Sequence, residues 1–441
     1  GVPNSLGILF FDNYDTRYSG YETLSHAVLY REHNVRNWEV EGALVLRLND
    51  VAENRIDLSD AGSYIRVAWW KDPTRKAFDR ISLTAFPTSS DRMRLGYSYR
   101  LSWGGTPEYR RSRTSVPGIK VQYDWDKGYA FIGAKSAVIL DRNTAEESAE
   151  MAVLGGAGYD VTPMVRAELN GGLFNRGTNE LQDVLGETVW LYGVSAQVAL
   201  HKDMPVLSSI DYKLYQNDPE RVGRLFAKTT YPGGLSWMVA AEGTALFQTL
   251  KDPEATGSTV TQPGMAGDVN VRVKYNHTRV RVDAQLRDLA FILHSTPSLP
   301  TFSDFPMDYD KTPNYFLAGG ADQNFGSLTL GVIAGVDMPA TLTTPAGIPG
   351  DTTASGEATA VVRNEGNITI LPANESAAAQ FALKFTGQLD FSEFFASVLD
   401  VYYSYDPNQT RLTRDSNEDT LQREFGEFNQ LGFNLTLQAK F

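Results

Sequence analysis

Tract after tract of this chain alternates an apolar side chain with a polar or small one over about nine to thirteen residues. A strand sends successive side chains to opposite faces, so each such tract has one apolar edge and one polar edge. Trp38, Val40, Leu44, Leu46 and Leu48 share one face, as do Val269, Val271, Val273 and Tyr275, then Val280, Val282, Ala284 and Leu286. Leu235, Trp237, Val239, Ala241, Gly243, Ala245 and Phe247 form another such row. Further tracts run from Tyr129 to Leu140, Val165 to Leu173, Trp190 to Leu200, Leu328 to Met338, Ala379 to Leu389 and Phe395 to Tyr403. Arg92 to Trp103 is the most regular, with Met93, Leu95, Tyr97, Tyr99, Leu101 and Trp103 opposite Arg92, Arg94, Gly96, Ser98, Arg100 and Ser102. The last tract sets Leu431, Phe433, Leu435, Leu437, Ala439 and Phe441 against Gly432, Asn434, Thr436, Gln438 and Lys440.

The 441 residues hold no stretch near the roughly 18 to 20 consecutive apolar residues that a spanning helix requires, which excludes a helical membrane protein. Alternation accounts for a modest 42% hydrophobic content, because only half of each strand need be apolar. The chain has no cysteine, and a sheet that closes on itself needs no disulfide to protect its edges. Its 21 Tyr, 22 Phe and 7 Trp suit aromatic girdles at two membrane interfaces. The start at Gly1-Val2-Pro3, with no basic-then-apolar leader, is expected of a chain whose export signal has been removed.

The connections fall into two kinds. Asp126-Lys127-Gly128, Asn276-His277, Tyr231-Pro232-Gly233-Gly234 and Phe325-Gly326 predict tight turns at one end. Longer polar stretches at Gly104 to Pro117, Asn175 to Gly186, Lys251 to Gly264, Ser295 to Thr312, Pro339 to Ser376 and Asp406 to Asn429 predict loops at the other. Keeping that alternation requires Arg221 to Tyr231 as a strand. Within Pro339 to Ser376, Asn364-Glu365-Gly366 predicts a hairpin that either extends the wall or folds inward to narrow a pore.

The formal charge is -13, and the acid is mostly in the connections. In the strand tracts, basic residues gather opposite the apolar rows: Arg92, Arg94 and Arg100 in one tract, Arg272 and Lys274 in a second, and Arg279, Arg281 and Arg287 in a third. An arginine facing lipid near the midplane costs about 2 to 4 kcal/mol, so these rows are expected to face inward. There they either pair with carboxylates such as Glu39, Glu41, Asp79, Asp211, Glu242 and Asp283, or present a positive ladder to passing anions.

No catalytic or cofactor site emerges. The five histidines, His26, His33, His201, His277 and His294, fit no triad or zinc pattern, and the absence of cysteine removes thiol chemistry. No phosphate-binding or dinucleotide glycine motif is present, and no basic tract with interleaved aromatics points to nucleic acid. The acidic stretches Ser303 to Asp310 and Asp415 to Asp419 lack the spacing of a calcium loop and read as solvated loop.

The final tract, with Phe433, Leu435, Leu437 and terminal Phe441, resembles the closing strand of bacterial outer-membrane β-barrels, and the repeated tracts extend that resemblance from about Thr23 to Phe441. The resemblance implies an all-β fold: a transmembrane antiparallel up-and-down barrel of about 18 to 20 strands over 23–441, preceded by a periplasmic or lumenal segment over 1–22. It implies an integral outer-membrane location in a Gram-negative cell, with lipid, lipopolysaccharide and the barrel-insertion machinery as partners, the last through the C-terminal strand. In length the chain looks like specific porins and like polysaccharide-export barrels. The expected role is a passive channel for solutes, leaning toward anions. The alternatives are an export conduit for an exopolysaccharide, or a non-conducting platform acting through its acidic loops.

Overall fold

Period-two patterning produces antiparallel strands almost throughout the computed structural model, which describes residues 26–49, 57–60, 62–75, 79–91, 93–105, 115–140, 146–204, 206, 233–295, 303–345, 356–362, 368–392, 394–414 and 421–439. In chain order the strands are β1 (His26–Val35), β2 (Trp38–Asn49), β3 (Asp57–Asp60), β4 (Tyr64–Trp70), β5 (Arg80–Phe86), β6 (Gly118–Trp125), β7 (Gly128–Leu140), β8 (Glu147–Thr162), β9 (Val165–Thr178), β10 (Thr188–Lys202), β11 (Leu235–Lys251) and β12 (Thr259–Tyr275). They continue as β13 (Thr278–Arg287), β14 (Asp310–Thr312), β15 (Asn314–Asn324), β16 (Leu328–Met338), β17 (Ala340–Thr344), β18 (Ala358–Val362), β19 (Ile368–Ile370), β20 (Gln380–Asp390), β21 (Phe395–Tyr405), β22 (Thr410–Arg414), β23 (Leu421–Phe425) and β24 (Asn429–Ala439). One short helix, α1 (Leu289–Ser295), follows β13.

The main sheet has eighteen strands, each hydrogen-bonded to its neighbour along the chain in an up-and-down meander from β1 to β24. β3 and β4 share one place beside β2, on its two halves. No pairing of β1 with β24 occurs among the described residues.

The two faces of this sheet reverse the usual distribution of polarity. Val40 is 43% exposed and its neighbour Glu41 only 3%; Val198, Val269, Leu317 and Phe385 are likewise exposed, while Gln197, Asn270, Lys384 and Asp400 are buried. Soluble proteins rarely expose so continuous an apolar surface. Polar groups that are buried must find partners, so the inner face is where this chain's specific chemistry lies.

Tight turns join β1 to β2, β6 to β7, β8 to β9, β12 to β13 and β15 to β16 at one end. At the other end the connections are longer. Two of them, β13 to β15 and β16 to β20, together form a second, four-stranded sheet in the order β14-β17-β18-β19, which packs on α1 through Leu289, Ile292, Ala340, Leu342, Ala360 and Val362. β18 and β19 of this cap pair antiparallel, with Val362 opposite Ile368, while the expected turn at Asn364-Glu365-Gly366 lies outside the described residues.

Three expectations change. β10 pairs directly with β11, Ala196 opposite Gly243, so the turn-and-loop alternation holds without a strand at Arg221 to Tyr231, which lies outside the described residues. Residues 1–22 and the acidic stretch from Asp415 to Asp419 also lie outside them. The most regular tract, Arg92 to Trp103, is not a strand of the wall; it turns in against the sheet's polar face, where Met93, Leu95, Tyr97, Leu101 and Trp103 are buried. The β5–β6 connection therefore supplies an inward-folded segment.

Candidate functional site

The inserted segment is a hairpin held at three levels. Its base is tied where Ser90 N donates to Val116 O (2.9 Å) and Val116 N to Thr88 O (2.8 Å). Midway, Leu95 and Trp103 exchange backbone hydrogen bonds at 2.9 and 3.0 Å. Between them the chain reverses through Gly96, at φ +90°, and a 3-10 turn over Tyr99–Leu101; Gly104, at φ +75°, then turns it out again. Both conformations are left-handed and favour glycine.

Apolar packing seats the hairpin. Met93, Leu95, Leu101 and Trp103 join Ile139, Leu154, Phe174, Leu191, Leu246 and Phe291 of α1 in one buried cluster, with the Trp103 and Phe174 rings 5.7 Å apart. The wall makes room with inward-facing glycines. A Cβ on Gly133 would meet Met93 Sδ at 2.8 Å, one on Gly172 would meet Leu95 Cδ1 at 2.8 Å, and one on Gly193 would meet the Trp103 ring at 3.2 Å.

Polar contacts then fix it. Lys135 Nζ, buried on β7, donates to Ser90 O (3.1 Å), Met93 O (2.7 Å) and Gly104 O (2.6 Å), gathering both legs of the hairpin on one ammonium. At the tip, Glu242 of β11 accepts from Tyr97 N (2.8 Å) and Ser98 N (2.5 Å), and Asn170 of β9 accepts from Gly96 N (3.0 Å). Trp103 Nε1 donates to Ser195 Oγ (3.0 Å), which shares a 2.8 Å hydrogen bond with Thr244 Oγ1. Arg100 reaches Asp337 of β16 at 3.5 Å and lies 4.0 Å over the Phe316 ring. Burial pushes its guanidinium below the usual arginine range, and Asp337 opposes that shift. Burial, and after it the field of Glu168, pushes the Tyr97 hydroxyl up.

The hairpin's polar contacts thus run from β7 to β16, while its apolar cluster also takes in Ala43 and Val45 of β2, Tyr64 of β4 and Phe86 of β5. The charged residues from β2 to β6 are met within the wall. Arg66 pairs with Glu41 (2.8 Å) and Glu39 (3.1 Å), while Arg80 pairs with Asp124 (3.0 Å) and Glu39 (3.5 Å). Trp70 Nε1 donates to Glu39 at 3.0 Å, with Arg75 and Arg80 each 5.2 Å from its ring.

The predicted basic rows separate into two groups. Arg94 and Arg100 ride on the hairpin, Arg94 being 3.9 Å from Asp91; Arg92 lies outside the described residues. The others are brought together on the wall, where β12–β13 register sets Arg272 opposite Arg281 and Lys274 opposite Arg279. Arg279 pairs with Asp322 (2.7 Å), Arg272 donates to Asn270 Oδ1 (3.0 Å), and Arg287 donates to Asn314 Oδ1 (2.6 Å). Of the predicted closing-strand residues, Phe433, Leu435 and Leu437 point outward from β24, more than half exposed, and Phe441 lies outside the described residues. Glu242 was expected on the inner face as a partner for the basic rows, and it instead holds the hairpin's backbone; Lys135, Asn170 and the glycine bed were not singled out from sequence, where a readable signal was the set of glycines at inward positions of otherwise bulky strands.

No family model matches the chain, and no curated protein matches it in sequence. Among solved structures, the crystal structure of the P. putida toluene transporter TodX is similar over 94% of this chain and 88% of that one, at 7% identity and a TM-score of 0.25. At that score the likeness is too loose to bear on fold or function.

Proposed function

We propose that this chain is an outer-membrane barrel that passes a solute through its polar interior, with the hairpin at 87–105 as the gate. The observation that carries this reading is the inverted polarity of the sheet: an apolar outer face suited to lipid, and a buried polar face that wraps a separately anchored piece of chain. A strand wall cannot open without breaking ladder hydrogen bonds, whereas a hairpin held by a few side chains can move as a unit. Solute moves in this reading without covalent chemistry. Selectivity comes from the width left beside the hairpin and from the basic residues of β12 and β13, which gives the path its lean toward anions. Lipid and lipopolysaccharide surround the wall, and the cap of β14, β17, β18 and β19 stands at the outer mouth.

Planar-bilayer conductance tests the reading. The intact chain is expected to give small or intermittent currents, and replacement of residues 90–104 by a short Gly-Ser link a large steady current with anion preference. The packed interior favours one competitor, a non-conducting barrel that serves as a platform. A link variant that folds and stays silent would establish that competitor and end the channel reading.

A further inference from the structure

The tip of the hairpin carries more buried hydrogen-bond donors than the groups around it accept. Arg100 and Arg287, both buried, converge on one carboxylate: Arg100 Nη2 is 3.5 Å from Asp337 Oδ1, and Arg287 reaches it only through Asn314, whose Nδ2 donates to the same oxygen at 2.8 Å. Arg287 Nη1 also donates to the carbonyl of Arg100 (3.4 Å), which ties the two residues into one cluster. Asp268 and Asp283 act on Arg100 through their field without an ion pair to it. Among the described residues, Arg100 Nε and Nη1 have no acceptor, nor does Nε2 of buried Gln380, which sits directly across from Asp337 in the β16–β20 register.

Three buried donors without acceptors, on Arg100 and Gln380 beside the carboxylate that Arg100 and Arg287 share, describe a place where an acceptor is missing. A buried donor without an acceptor is among the most unfavourable arrangements a protein can hold. We propose that Arg100, Arg287 and Gln380 form a binding site for a small oxyanion, the carboxylate or phosphate group of the solute that passes. The inference rests on the channel reading for its biological sense and adds the class of solute to it. Position supports it. Arg287 ends β13 and leads into α1, so the site lies at the mouth from which the longer connections rise, and its one mobile member belongs to the gate. An oxyanion bound there competes with Asp337 for Arg100, and that competition couples arrival of solute to release of the tip.

Calorimetric titration of the detergent-solubilised full chain with inorganic phosphate and with acetate, at ionic strength held constant with chloride, tests the site. Saturable binding of one or both probes is expected, phosphate alone or acetate alone identifying which group the site takes. Arg287→Gln should weaken it about tenfold, the loss of one charge-assisted contact. Asp337→Asn removes the competing carboxylate and should tighten it to a similar extent, with a melting temperature that rises as probe is added; a misfolded variant cannot produce that gain. Equal responses in wild type, Arg287→Gln and Asp337→Asn, or none in any, would overturn the site. Conductance of the 90–104 link variant is read separately, so an open channel without an oxyanion response defeats this inference alone, and a saturable response in a silent barrel defeats only the channel.

Discussion

The inner face from β2 to β6 and the inner face from β7 to β16 solve the same problem in different ways. In the first, Arg66 answers Glu39 and Glu41 on the adjacent strand, and Arg80 answers Asp124 on its neighbour and Glu39 one strand further, so these ion pairs also brace strand to strand. In the second, Lys135, Asn170 and Glu242 spend their hydrogen bonds on the backbone of a hairpin. The first half is rigid by construction. The second is only as rigid as the hairpin's attachment, and removal of the hairpin leaves polar groups that water can satisfy.

The sharpest break of this contrast is Lys135→Met, which removes the one ammonium that the carbonyls of Ser90, Met93 and Gly104 share. Docking of the hairpin should weaken by about 3 to 5 kcal/mol, read as new protease cleavage in the hairpin of a sheet that still resists heat. Arg66→Met should do the converse. It leaves Glu41 buried beside Tyr30 without its cation, and, allowing for the partial exposure of Arg66, should lower thermal stability by about 2 to 4 kcal/mol while the hairpin stays protected.

Acid offers a third comparison, because α1 packs against β11 and β12, which also hold the hairpin. His294 of α1 is buried against Gln262 O, and burial lowers its pKa from the ordinary 6.5 to about 4. A depressed histidine is neutral when folded, so its share of stability is complete above pH 6.5 and is lost as pH falls toward 4, by about 2 kcal/mol. Acid unfolding of the wild type should show that slope between these limits, and His294→Gln should flatten it. Glu242→Gln keeps one acceptor and loses the charge, so tip docking should fall by about 2 kcal/mol, with amide exchange at Tyr97 and Ser98 faster while the β10–β11 ladder is unchanged. Trp103→Phe removes only the Ser195 hydrogen bond and part of a ring, and should cost about 1 kcal/mol by the same exchange measurement.

The wall was legible where bulky apolar residues alternate with polar ones: Leu328 to Met338 coincides with β16, and Phe395 to Tyr403 lies within β21. β8 and β15 were harder to see. Gly155, Gly156 and Gly158 in one and Gly319 and Gly320 in the other give little contrast between faces. Arg92 to Trp103 misled for a physical reason. Alternation reports that a segment has two chemically different sides, and a hairpin seated between an apolar cluster and polar wall groups has them as surely as a strand seated between lipid and water. Its apolar row met Phe174, Leu191 and Leu246 rather than a bilayer. The basic rows of β12 and β13 were placed together by their phase, but their partners were not legible, since Asp322 and Asn314 come from β15, beyond the local pattern.

The contacts at the hairpin tip join residues far apart in sequence: Tyr97 lies 145 positions from Glu242, and Arg100 lies 237 from Asp337. The tip therefore cannot settle until the strands through β16 are laid side by side. A slip of one residue in any pairing along the way would turn Glu242 or Asp337 to the outer face. The hairpin then serves as a proofreader of assembly, because it locks only onto a wall whose register is already correct.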